Sequence, residues 1–226
     1  MLIVKLAILL KYNLIHIKNS FFASCSYVVE NGNNICWLVD CGDVQPLLTL
    51  LKHKKLNGIL LSHAHFDHIY GLNELIKRFP DTLVYTNESG KDALLDARKN
   101  MSLYHEKPFV FEFPNCIRIV KDNDEIRLSD KLKAKVVATP GHHPSCLTYL
   151  MGDAIFTGDS YIPGTKVVTN LPKGNKKHAQ ESLNKILLLA KERTVYPGHY
   201  IEDNNKKTLF GRNNEEQDLA LSCSHE

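Results

Sequence analysis

The stretch Gly58-Ile59-Leu60-Leu61-Ser62 runs directly into His63-Ala64-His65-Phe66-Asp67-His68. The first five residues read as a short buried strand, because a continuous apolar run of that length bounded by polar residues suits a strand covered on both faces. The next six hold four side chains able to bind metal. They converge only if the chain turns sharply at the strand's end. Imidazole and carboxylate are the donors that borderline divalent cations such as zinc accept. Even standing alone, the segment favours metal over the alternatives of a solvated polar loop or core histidines satisfied by backbone.

Three other segments repeat the arrangement. Thr139-Pro140-Gly141-His142 follows a strand pattern at Lys133–Ala138, Phe156-Thr157-Gly158-Asp159 closes the next hairpin, and Tyr196-Pro197-Gly198-His199 follows the last strand pattern. One histidine after Pro-Gly is an ordinary surface turn. Ligand-type residues at four strand ends in one chain point instead to a shared metal centre.

Around these segments, β-like runs alternate with helical ones. Strands are expected at Tyr12–Lys18, Ser24–Glu30 and Ile35–Asp40, the last two joined by the turn sequence Asn31-Gly32-Asn33-Asn34. Further strands fall at Leu83–Thr86, Cys116–Val120, Glu125–Leu128, Lys133–Ala138, Cys146–Met151, Ala154–Thr157 and Thr194–Tyr196. Helices are expected at Val44–His53, Gly71–Phe79, Glu88–Lys99 and Lys177–Arg193, the last with Ala179, Leu183, Ile186, Leu187 and Ala190 on one face. Met101–Asn115 reads as a loop or lid, Met1–Leu10 as a first strand or ragged start with a signal peptide as the alternative, and the C-terminus as a polar helix and tail. Strands followed by helices in both halves suggest a layered α/β sandwich.

Composition sets the outer bounds. With 226 residues, 43% of them hydrophobic, and a formal charge of +3, the chain is expected to fold as a single domain over 1–226. That charge is too small to imply nucleic-acid or membrane partners, and no apolar run approaches the roughly 20 residues of a membrane span. The six cysteines show no zinc-site spacing, and reduced thiols in a cytoplasmic protein are expected.

The motifs Val39-Asp40-Cys41-Gly42, His63–His68, His142, Asp159 and His199, in that order, resemble the metallo-β-lactamase-fold hydrolase superfamily. The resemblance covers nearly the whole chain and implies an α+β fold, a four-layer αββα sandwich with the metal site at one edge of the paired sheets. It also implies two zinc ions per chain, iron or manganese being the alternatives. His63, His65 and His142 would hold one ion, Asp67, His68 and His199 the other, and Asp159 both. A bridging hydroxide would attack the substrate, with Asp67 as the catalytic proton acceptor. Asp40 is expected to support the histidine loop by hydrogen bonding. Tyr161 is expected either to donate to a substrate oxygen or to be merely structural.

Ligand types narrow the chemistry. His65 stands where flavo-di-iron proteins carry Glu, and Asp159 where class B lactamases place Cys or Ser, so neither oxygen reduction nor β-lactam hydrolysis is favoured. The set resembles that of glyoxalase II, lactonases and several phosphodiesterases. Only 27 residues follow His199, so the C-terminal domain typical of glyoxalase II is not expected, although Lys206, Lys207 and Arg212 lie in that tail. The expectation is a hydrolase of a small-molecule ester, thioester or lactone. The alternatives are a phosphodiesterase and a non-catalytic metal-binding or sensing protein. A homodimer is compatible with the family. Lys173, Lys176 and Lys177 form a small positive cluster, read as a solvated helix start or as a steering patch for an anionic substrate.

Overall fold

The structure is a computed structural model that describes residues 12–32 and 34–200. The expectations for Met1–Leu10, for Asn33 in the hairpin turn, and for the C-terminal helix and tail with Lys206, Lys207 and Arg212 lie outside the described residues.

Eleven strands form two sheets among the described residues. The first is built in the order β1 (Asn13–Lys18), β2 (Cys25–Glu30), β3 (Ile35–Val39), β4 (Lys55–Leu60), β5 (Leu83–Thr86) and β6 (Ile117–Ile119). Its first three strands are an antiparallel meander, and β3 to β6 run parallel. Parallel neighbours need crossovers, and these carry α1 (Val44–Leu51), α2 (Leu72–Arg78) and α3 (Glu88–Leu94). The second sheet has the order β11 (Thr194–Pro197), β10 (Ala154–Gly158), β9 (Leu147–Met151), β8 (Lys133–Ala138) and β7 (Glu125–Arg127). One further helix, α4 (Lys176–Leu189), connects β10 to its parallel neighbour β11.

Period-two alternation along the strands separates three apolar layers. Val28, Cys36 and Leu38 face a core shared with Leu47 and Leu51 of α1, Leu72, Leu75 and Ile76 of α2 and Ala93 and Leu94 of α3. Their neighbours Tyr27, Val29, Trp37 and Val39 face the other way, onto Val136, Tyr149 and Phe156 of the second sheet. In turn Val137, Leu150 and Ile155 alternate with those residues and pack on Ile186 of α4. Helices, sheet, sheet, helix: the αββα sandwich is drawn by which face each strand residue buries. Truncating the fully buried Phe156 to Ala would cost about 3–5 kcal/mol.

Two helices differ from their sequence patterns. The pattern at Glu88–Lys99 stops helically at Leu94, because Asn100 is buried and its amide donates to the carbonyls of Ala93 and Phe109. That bond pulls the chain into tight turns instead of a further helical turn. On α4 the buried positions are Ala179, Ser182 and Ile186, while Leu187 is exposed. The hydroxyl of Ser182 donates to the Pro140 carbonyl at 2.6 Å, which lets a polar residue occupy the inward stripe and turns Leu187 to water. Met101–Asn115 is a loop ending in a 3-10 turn, but it is anchored: Phe109 and Phe111 are buried in the first core. Ser102 clamps its base, its hydroxyl accepting from Phe109 N at 2.8 Å.

Because β8, β10 and β11 run in one direction, their C-terminal ends share one edge of the second sheet. Leu147 N donates to Ser62 O at 2.7 Å, which seats that edge against the C-terminal end of β4. The start of β2 lies there too, since Cys25 N donates to Gly198 O at 2.8 Å. No described helix is long and apolar enough to cross a membrane.

Candidate metal centre

All seven expected donor residues meet at this common edge. His63 and His65 leave the end of β4, and Asp67 and His68 sit in a single 3-10 turn, Phe66–His68. Beyond β8 comes His142, beyond β10 Asp159, and beyond β11 His199. Three triads have donor atoms mutually within 4.8 Å: His63, His65 and His142; His63, His68 and Asp159; Asp67, His68 and His199. His142 Nε2 lies 2.9 Å from His65 Nδ1. Asp159 links the groups, with Oδ2 3.5 Å from His142 Nε2 and 3.2 Å from His199 Nε2, and Oδ1 3.5 Å from His68 Nε2. Asp67 Oδ2 lies 3.3 Å from His199 Nε2 and 3.4 Å from His68 Nε2.

The outer ring nitrogens show how the imidazoles are aimed. His142 Nδ1 pairs with Val168 O at 2.8 Å and His199 Nδ1 with Phe22 O at 3.0 Å. His68 Nδ1 pairs with Asp40 Oδ2 at 2.9 Å, and His63 Nδ1 with Ser62 Oγ at 3.1 Å. A proton on each of these Nδ1 atoms turns Nε2 toward the cluster, where it becomes a lone-pair donor once it has given up any proton of its own. His65 is reversed: Nδ1 faces His142, and its buried Nε2 has no hydrogen-bond partner among the described residues.

Asp40 sits at the hub of this support. It is buried at a positive φ of 57°, which Asp tolerates better than most residues. Its carboxylate accepts from Ser62 N at 2.7 Å, from Ser62 Oγ at 2.6 Å and from His68. Ser145 ties the two loops of the first triad, its hydroxyl accepting from Ala64 N at 3.1 Å while pairing with His143 Nδ1 at 2.6 Å. His143 is therefore a buried hydrogen-bonding residue, its ring tilted against that of His65 at 4.8 Å between centroids.

The protein groups by themselves set opposing charges. Burial, with the neighbouring His68, His65 and His142, drives His63 well below the ordinary imidazole value. Burial and the charges of His142 and His143 lower His65 to about 3. For His68, burial favours the neutral ring, but the Asp67 and Asp159 carboxylates and the bond to Asp40 outweigh it and raise the pKa well above the ordinary value. His199 is likewise raised to about 10, its bonds to Asp159 and Asp67 overcoming burial. Against the upward push of burial, His68 and His199 hold Asp67 below the usual carboxylate range and Asp159 at about 2.

These groups fit divalent cations. His63 Nε2 and Asp159 Oδ1 are buried without a hydrogen-bond partner among the described residues, a costly arrangement unless another partner exists. The imidazole–carboxylate mixture is one that zinc or iron accepts.

Tyr161 follows Asp159 by two residues and is partly buried. Its side chain packs with Val137, Leu150, Ile155 and Ile186, between the second sheet and α4. Lys173, Lys176 and Lys177 are all exposed around the start of α4, which agrees with either of their two readings. The sequence reading missed Lys166, which joins Ile162, Val167 and Val168 around a small hollow beside His142 and Asp159. It also missed Ser62, Ser145 and the carbonyls of Phe22 and Val168. Among the described residues, Cys25, Cys36, Cys41, Cys116 and Cys146 are free thiols.

Two packed sheets with five imidazoles and two carboxylates at their common edge define a metal-binding αββα protein. The chain belongs to the metallo-beta-lactamase superfamily, whose model matches residues 20–199, and it is a metal-dependent hydrolase. It is 30% identical over 198 residues to the hydroxyacylglutathione hydrolase of Psychromonas ingrahamii, a match covering 86% of this chain and 67% of that one. Against the enzyme of the same name from Vibrio cholerae the identity is 29%, over 76% of this chain and 60% of the relative. The chain thus spans about two thirds of the length of these relatives. Among solved structures, the BLEG-1 B3 metallo-beta-lactamase superposes with a TM-score of 0.76 at 26% identity, covering 84% of this chain and 92% of that one. TTHA1623, solved in a di-iron-bound form, superposes with a TM-score of 0.66 at 28% identity, over 83% of this chain and 92% of that one.

Proposed function

We propose that the chain is a dinuclear zinc hydrolase of small-molecule thioesters, esters or lactones, working in the cytoplasm, with a glyoxalase II-like thioester as its favoured substrate. The carrying observation is that Asp159 reaches ring nitrogens of both the His63–His65–His142 group and the His68–His199 group. In this reading His63, His65 and His142 would hold one cation and Asp67, His68 and His199 the second, with Asp159 available to both groups. When bound, two divalent cations supply a water acidified to near neutrality and a Lewis acid for the carbonyl. Asp67, kept ionised beside His68 and His199, is placed to accept the proton of the attacking water. Asp40 and the Phe22 and Val168 carbonyls keep the imidazoles aimed. Lys166 in the adjoining hollow offers a cation to an acidic group on the substrate.

The likeness to hydroxyacylglutathione hydrolases supports the thioester preference. A panel of thioesters, lactones, phosphodiesters and β-lactams, assayed with metal-loaded protein, tests it. Thioester turnover that falls by about 10²–10⁴-fold in Asp67→Ala is the expected result. Preferred turnover of a phosphodiester or β-lactam would overturn the substrate class, and no turnover at all would favour a binding protein. Metal analysis after growth in a balanced medium should return two zinc per chain; one or two irons without zinc would overturn the metal.

A further inference from the structure

The connection between β1 and β2 is a tight turn with an unusual sequence. Ser24 N donates to Phe21 O at 3.1 Å, closing a four-residue turn whose central residues, Phe22 and Ala23, have φ values of 53° and 52°. Two successive left-handed residues define a type I′ turn, where Asn-Gly is the favoured pair. A bulky aromatic and an alanine accept that backbone only at a cost, and such strain persists where the surroundings over-determine it.

The surroundings here are the two loops that carry Asp67, His68 and His199. The Phe22 carbonyl accepts from His199 Nδ1 at 3.0 Å, and the Ala23 carbonyl accepts from Tyr200 N at 2.8 Å. Ser24 Oγ donates to the backbone carbonyl of Asp67 at 2.7 Å, and Ser24 forms an isolated antiparallel bridge with His199. Buried Asn19 backs the turn, its amide donating to the hydroxyls of Ser24 and Ser26 at 3.1 Å. The Phe22 side chain is 72% exposed, so the left-handed backbone is not there to bury the ring.

We infer that the Phe21–Ser24 turn is a positioning device for the second cation: its left-handed backbone delivers the Phe22 carbonyl to His199 Nδ1 while Ser24 fixes the Asp67 backbone. The inference rests on the two-cation reading above. The carbonyl selects the tautomer that leaves His199 Nε2 toward Asp67 and Asp159. Ser24 holds the Asp67 backbone of the same donor group through its hydroxyl. The residues act through His199 and Asp67 and are positioning residues.

Stepwise zinc binding to chelator-stripped full-length chain, followed by calorimetry and competition with a chromophoric chelator, tests this. Ser24→Ala should weaken the second ion about 10-fold or more while leaving the first ion's affinity unchanged. The stripped protein should melt lower, because the Asn19 amide and the Asp67 carbonyl lose a buried partner, so the ratio of the two affinities is the readout. Phe22→Gly deletes the ring but accepts a positive φ, so it should keep the second ion and raise the melting temperature. Phe22→Pro, whose ring enforces a negative φ, should lose the second ion selectively. If Phe22→Gly weakens the second ion as much as Phe22→Pro, the side chain and not the carbonyl matters, and the inference is overturned. Two ions bound by Ser24→Ala as tightly as by wild type would overturn it as well. Should Phe22→Pro not fold, the Ser24→Ala and Phe22→Gly results decide. A wild-type chain that takes up one ion removes both this inference and the two-cation reading; two ions in wild type with unaltered variants removes this inference alone.

Discussion

Asp40 carries three hydrogen bonds on one buried carboxylate, from Ser62 N, Ser62 Oγ and His68 Nδ1. Removing it strands two buried donors and unaims His68. Asp40→Ala should lower stability by roughly 3 kcal/mol and weaken metal binding by about 10–100-fold. Asp40→Asn keeps an acceptor and tolerates φ > 0, so its losses should be the smaller; denaturant melts and chelator competition rank the two. Residues of this kind divide in legibility. The donors His63, His65, Asp67, His68, His142, Asp159 and His199 were visible because their types are rare together at strand ends. The Val168 and Phe22 carbonyls were not, since every residue carries a carbonyl and only the folded path says which one meets an imidazole. Lys166 was passed over for the Lys173–Lys177 run for a similar reason: a lone lysine has no pattern.

At the level of elements, strand alternation was readable because each inward residue has one sheet face to fill. Helix ends were less so. Nothing in Glu88–Lys99 announces that the Asn100 side chain will capture the carbonyls of Ala93 and Phe109, and the Ser182–Pro140 bond that rotates α4 is equally a long-range event. The α4 contact also fixes a donor. Gly141, next to His142, has φ 142°, and a Cβ there would lie 2.3 Å from Ala179 Cα and N. Asn175 N donates to Gly141 O at 2.7 Å, while the Asn175 side chain caps the helix at His178 N. Gly141→Ala must therefore push α4 away from the His142 loop. A loss of roughly 1–3 kcal/mol in stability and weaker uptake of the first ion are expected, measured by thermal melts with and without zinc.

For the whole molecule, the imidazoles make stability depend on pH in opposite directions. His63 and His65 have lowered pKa values in the fold, so below the ordinary 6.5 the unfolded chain binds more protons and stability falls with pH. His68 and His199 are raised, so their contribution is complete below 6.5 and is lost as pH rises through about 10 for His199. Asp159, lowered to about 2, matters only below its ordinary 3.8. Chelator-stripped protein should thus be most stable near pH 6.5, and a melting profile flat from pH 5 to 9 would contradict this charge pattern. Zinc must displace the protons held on His68 and His199, so uptake at pH 7 should release roughly two protons per chain. Calorimetry in buffers of different ionisation enthalpy measures that number. At a free zinc level 100-fold above its dissociation constant, each site adds about 2.7 kcal/mol to stability.

The Ser102–Phe109 clamp has a practical corollary. Between these two buried anchors the backbone makes an excursion on which Tyr104 is 96% exposed. Both ends are already pinned together, so lengthening the excursion adds only the slow logarithmic penalty of a larger closed ring. An epitope tag or reporter peptide spliced between the exposed Glu106 and Lys107, beyond His105 and its stacking on Phe66, should leave the architecture standing, which makes this segment a natural handle for immobilising or imaging the enzyme.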